Sequence, residues 1–152
     1  MAIDARYLHT NLTVLDIKRM LEFYQQVFGC TPVRSEQDLS GQWLEDITGI
    51  PSAELRYVHL RLPGYGDGGP ELELNQYRNP MEHPRTAADR TGFGHIAFAV
   101  DDVRAALDAV IAAGGGSIGD PVTVDIPGRG RLTEVYATDP EGNIIELQHY
   151  SR

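Results

Sequence analysis

The chain has 152 residues, 41% of them hydrophobic and 23% charged, with a formal net charge of -9. That suffices for one domain with a sizeable core, or for two small modules sharing one, and it excludes wholesale disorder. The acidic balance disfavours nucleic acid and anionic membrane as partners, because both need a basic face. No apolar run is long enough to span a bilayer, and the N-terminal stretch MAIDARYLHT lacks the pattern of a secretory signal. The single cysteine, Cys30, permits no internal disulfide, so a reducing, cytoplasmic location is expected.

The first predicted element is a strand from His9. Leu12 and Val14 lie on its packing face, and His9, Asn11 and Thr13 lie on the other. Asp16 suits a helix N-cap. Ile17, Met20, Leu21 and Tyr24 then follow the spacing of an amphipathic helix, which Gly29 closes. Further strands are predicted at about 32–37, 53–63 and 71–77, with the breaker run PGYGDGGP before the last. Residues 39–52, LSGQWLEDITGIPS, read as an insertion that forms a short helix over the site.

The same order then returns. From His95, the residues Ile96, Phe98 and Val100 alternate with His95, Ala97 and Ala99, as in a strand with one bulky face. Asp102 is the second predicted N-cap, and Val103, Ala106, Leu107 and Val110 form the apolar stripe of a helix closed by glycines from Gly114. Strands are predicted at about 117–124, 131–139 and 143–150, with DPEGN turning between the last two.

These two passages align without a gap from His9 and from His95, which makes the chain an internal duplication. Each half reads strand, helix, then three strands. The expected fold is α+β, with two tandem βαβββ modules at about 7–78 and 93–150, curled mixed sheets forming a shared cleft, and helices outside.

The duplication also pairs the candidate chemistry. His9 and His95 occupy equivalent places on the first strands. The closing strands carry ELNQY and ELQHY, which match Glu73 with Glu146. Two imidazoles and two carboxylates suit a divalent transition metal such as Zn, Ni, Co, Mn or Fe. Such a metal would polarise a substrate carbonyl, and Glu146 or Glu73 would serve as general base. A lone strand histidine is usually structural. Two matched His–Glu pairs are not explained that way, since inward carboxylates without a cation are costly.

Glu71 shares the face of Glu73 and is its rival. His59, His83 and His149 have no partner in the repeat and read as surface or packing residues, with His149 expected to point away from the cleft. Arg129 and Arg131, beside the loop IPGRGR, are candidates for holding an anionic substrate group, ahead of Arg34, Arg56 and Arg61. Solvated surface arginines are the plain alternative. Asn11, on the face of His9, and Tyr136, which either lines the cleft or fills core, complete the candidate substrate contacts.

The phrases LHTNLTVLDIKRMLEFYQQVFG, GFGHIAFAVDDVRAAL and DPEGNIIEL resemble those of the vicinal oxygen chelate superfamily, which includes glyoxalase I, methylmalonyl-CoA epimerase, extradiol dioxygenases and fosfomycin resistance proteins. The resemblance spans nearly the whole chain. It implies paired βαβββ modules and a metal held by His9, Glu73, His95 and Glu146, a set similar to that of glyoxalase I. The implied activity is a metal-dependent lyase or isomerase that moves a proton next to a carbonyl of a small oxygenated substrate, through a metal-stabilised enolate. An iron-dependent extradiol-type dioxygenase and a non-catalytic binding or resistance protein are the alternatives. The resemblance also implies a homodimer. The sequence departs from glyoxalase I-like chains in its insertion at 39–52, and no glutathione-contacting pattern or coenzyme A signature stands out.

Overall fold

The computed structural model describes residues 2–151, which divide into two compact units, one running to Glu82 and the other beginning at His83. Among the described residues there are ten strands and three helices, giving an α+β fold with two mixed sheets of five strands each. No helix among them is long and apolar enough to cross a membrane.

In the N-terminal unit the elements are β1 (His9–Thr13), α1 (Ile17–Phe28), β2 (Thr31–Pro32), β3 (Gln37–Ser40), α2 (Gln42–Thr48), β4 (Glu54–Arg61) and β5 (Glu71–Tyr77). The sheet order is β1-β5-β4-β2, with β3 also on β4. Only the β1–β5 pair is parallel. In the C-terminal unit they are β6 (Ile96–Ala99), α3 (Val103–Ala112), β7 (Gly116–Ser117), β8 (Val122–Ile126), β9 (Gly130–Thr138) and β10 (Ile144–Ser151). Its order is β6-β10-β9-β7, with β8 also on β9 and only β6–β10 parallel. Each unit therefore repeats the same ladder plan.

The strand predicted directly after the helix of each half differs from the sequence expectation. The stretch at 32–37 is two strands, β2 and β3, which pair with opposite ends of β4. Pro32 has no N–H to give a ladder, and β2 stops there. A corresponding split separates β7 from β8, with Pro121 just before β8. Because β3 has a counterpart in β8, the element peculiar to the N-terminal unit is α2, not the whole of 39–52.

The helices start where the caps predict. The Asp16 carboxylate accepts from the backbone N–H of Lys18 and Arg19, both at 3.1 Å. Asp102 accepts from Arg104 and Ala105 at 2.9 and 3.0 Å. Asp16→Ala and Asp102→Ala should each lower stability by about 1 kcal/mol, read from the urea midpoint at unchanged slope.

The two matched glycines serve different needs. Gly29 sits at φ 69°, the left-handed conformation that ends α1. At Gly115 a Cβ would stand 2.3 Å from the Thr138 carbonyl oxygen, so the chain passes too close for a side chain. The predicted DPEGN turn is held by Asp139, which is buried and accepts from the N–H of Glu141 and Asn143 and from the Asn143 amide.

Each sheet buries one face under its own helix. Ile17, Met20, Phe23 and Tyr24 of α1 are buried, as are Val58, Leu60, Leu72 and Leu74 of β4 and β5. In the other unit Val103, Leu107 and Val110 of α3 are buried, as are Val135, Ala137, Ile145 and Leu147. Strand alternation then sends the intervening side chains to the opposite face.

Candidate metal and catalytic site

In the N-terminal unit that opposite face carries His9 and Asn11 of β1, Glu71, Glu73 and Asn75 of β5, and Tyr57 and His59 of β4. The ladder sets Glu73 between Asn11 on one side and His59 on the other. The Glu73 carboxylate is consequently surrounded by donors. Its Oε1 accepts from Asn11 Nδ2 at 3.0 Å and Asn75 Nδ2 at 3.1 Å, and stands 3.9 Å from His9 Nε2. Its Oε2 lies 2.8 Å from His59 Nε2. The other ring nitrogen of His59, Nδ1, lies 2.8 Å from Glu71 Oε2. His59 also meets the His9 ring edge-on at 5.3 Å and the Tyr57 ring at 5.7 Å.

This corrects the reading of His59 as a surface or packing residue. It stands at the centre of the acidic cluster and gives the rival carboxylates separate contacts on one ring. Helix α2 reaches the same face. Its Leu44 is buried with Ala53 and Leu55, and Leu39, Tyr57 and Tyr77 pack against them. The predicted short helix therefore lies on the site side of its sheet, one side chain removed from His59 through Tyr57.

In the C-terminal unit His95 immediately precedes β6, and its Nε2 lies 2.7 Å from Glu146 Oε2. Tyr136 is the ladder partner of Glu146, and its ring lies 4.9 Å from that of His95. Tyr136 thus occupies the place that His59 holds opposite Glu73. Two residues earlier on the same face of β9 stands Glu134, whose carboxyl is raised above the usual range by burial first and by the Glu146 charge second.

Sequence reasoning passed over Glu134. The usable signal was the alignment of Tyr57-Val58-His59 with Glu134-Val135-Tyr136, anchored by the two buried valines.

Both candidate pairs are thus formed, each within its own unit. The side chains of His9 and His95 are 38% and 32% exposed, against 17% and 13% for Glu73 and Glu146, so the imidazoles are reachable and the carboxylates half-sheltered. Among the described residues no three His, Cys, Asp or Glu side chains are already gathered as a metal shell.

The candidate substrate contacts divide. Asn11 is engaged with Glu73, and Tyr136 lies on the Glu146 face. Arg129 places its guanidinium 5.0 Å from the centre of the Tyr150 ring. Arg131 stands 3.5 Å from Asp125, and alternation from Tyr136 puts it on the helix side of β9, away from Glu146. Arg56 forms a two-point pair with Asp38, and Arg61 approaches Asp67. His83 reaches Asn143 Oδ1, and His149 reaches the Val100 carbonyl, on the face opposite Glu146 as expected. Cys30 is buried, and burial pushes its thiol up to about 11, leaving it protonated and inert at neutral pH.

Two tandem units of one ladder plan, each with a His–Glu pair on the open face of its sheet, define a duplicated-module protein with matched nitrogen and oxygen donors. The chain belongs to the Glyoxalase/Bleomycin resistance protein/Dioxygenase superfamily, whose family model matches residues 6–147. A probable lactoylglutathione lyase of Vibrio parahaemolyticus is 34% identical over 148 residues, covering 95% of this chain and 90% of the relative. A lactoylglutathione lyase of Haemophilus influenzae is 34% identical over 146 residues, covering 92% and 89%. In fold, the chain is similar to the crystal structure of a glyoxalase family protein from Bacillus cereus, with a TM-score of 0.79 at 18% identity over 98% of this chain and 97% of that one.

Proposed function

We propose that the protein is a glyoxalase-type lyase that converts a thiohemiacetal of a 2-oxoaldehyde into the isomeric 2-hydroxyacyl thioester. The observation that carries this reading is the pair of matched His–Glu contacts, His9 with Glu73 and His95 with Glu146, in a chain 34% identical to relatives named lactoylglutathione lyase. The donor chemistry fits a divalent transition metal, since two imidazoles and two carboxylates match borderline cations. His9, Glu73, His95 and Glu146 would hold it. A metal bound there supplies Lewis acidity to the substrate oxygens.

The chain's own residues divide the remaining work. Glu146 takes the proton from the carbon bearing sulfur and returns it to the neighbouring carbonyl carbon, while the hydroxyl proton of the first carbon passes to the oxygen of the second, so atoms balance without a co-reactant. Glu146 is favoured over Glu73 because its neighbours are His95 and the like-charged Glu134, whereas Glu73 is tied by Asn11, Asn75 and His59. A carboxylate that must move between metal and carbon cannot be held by three donors at once. Tyr136 would bound the substrate, a role that its ring beside His95 supports. Arg129 remains the candidate for an anionic group, and Arg131 does not share its site role. A cytoplasmic homodimer accompanies this reading.

Incubation with the thiohemiacetal of glutathione and a 2-oxoaldehyde, with Ni, Co, Mn or Zn supplied in turn, should yield thioester. Metal-loaded protein that forms none with any of them would overturn the assignment.

A further inference from the structure

The geometry points to His59, braced by Glu71, as a positioning residue that fixes Glu73 for metal binding. This inference rests on the metal-dependent reading above. Three observations carry it. First, His59 uses both ring nitrogens at once, 2.8 Å from Glu71 on one side and 2.8 Å from Glu73 on the other, so the ring can neither rotate nor tilt without losing a contact. Second, it takes Glu73 by Oε2, whereas Asn11 and Asn75 take Oε1. The carboxylate is thereby fixed in rotation as well as in place. Third, Asn75 turns its NH2 to Glu73 although its own Oδ1 is left buried without a partner, a local loss that the carboxylate's added donor offsets.

The duplication sharpens the point. The ladder position of His59 is filled by Tyr136 in the other unit, and that of Tyr57 by Glu134. One copy of the module thus surrounds its glutamate with donors, and the other sets a second carboxylate against it. Groups that orient a ligand carboxylate act on metal affinity through that ligand, without touching the metal. Tyr57, which packs against the cluster of Leu44, Ala53 and Leu55, also meets the His59 ring edge-on and so links α2 to it.

The test is a titration of metal-free protein with Co(II), followed by the visible spectrum and by competition with a chelator. His59→Ala should weaken binding by roughly 10–100-fold and alter the cobalt spectrum. His59→Gln, whose amide nitrogen reaches the place of Nε2, should recover most of the affinity. Glu71→Gln should show a smaller loss, and it serves also if His59→Ala fails to fold. Wild-type affinity and spectrum in His59→Ala, or in Glu71→Gln where the alanine variant does not fold, would overturn the positioning role while leaving the metal reading in place. Wild-type protein that takes up no cobalt would overturn the metal reading and this inference with it.

Discussion

Glu146→Gln should lower turnover at saturating metal by roughly 10²–10⁴-fold, the range for loss of a positioned acid–base group. The substitution keeps the shape of the side chain and its place beside Tyr136, so secondary structure and unfolding midpoint should stay near wild type. Glu73→Gln provides the contrast. Three donors hold Glu73, and its amide replacement should mainly raise the metal concentration needed for activity. The two variants therefore separate along different axes, one in kcat at saturating metal and the other in metal dependence. Equal loss of kcat in both at saturating metal would mean that the environments of the two glutamates do not divide their roles.

The largest stability effect should come from the central strands. Leu74 on β5 and Leu147 on β10 are each fully buried, each lies between two neighbouring strands, and each follows a candidate ligand by one residue. Leu74→Ala should cost about 2–5 kcal/mol, the sum of lost transfer energy and the cavity left behind. That is a large share of the roughly 5–15 kcal/mol that separates native from unfolded in a typical domain. Leu147→Ala should behave alike because its place in the ladder is the same. Ile47→Ala on α2 is the control, since Ile47 is 72% exposed and its truncation should stay within about 0.5 kcal/mol. Urea unfolding measures all three. A Leu74→Ala midpoint as close to wild type as that of Ile47→Ala would show that the apolar alternation had been misassigned.

Helix boundaries and strand faces were legible because they are written locally. Asp16 and Asp102 announce caps by residue type and position. Leu72-Glu73-Leu74 and Ile145-Glu146-Leu147 announce faces by a period of two. The echo between ELNQY and ELQHY located both glutamates because the duplication repeated the residue types. The remainder depends on register between strands distant in sequence. His59 lies opposite Glu73 only because β4 pairs with β5 as it does, and no repeat advertised it, since its counterpart is a tyrosine. Glu134 escaped for the same reason, with a tyrosine at the matching place. Arg131 was overvalued for a local reason. Its nearness to a loop suggested reach, but counting five residues from Tyr136 along β9 already puts it on the other face. The split of the predicted strand at 32–37 follows from Pro32, whose missing N–H was visible but whose effect depends on the edge where β2 lies.

The proposed function rests on metal binding by His9, Glu73, His95 and Glu146. Elemental analysis of purified protein, exposed to metal and then dialysed, tests this most directly. It should find about one ion per chain in wild type, with marked loss in both Glu73→Gln and Glu146→Gln, because each removes one charged donor from the proposed ligand set. Metal content unchanged in both variants would contradict it.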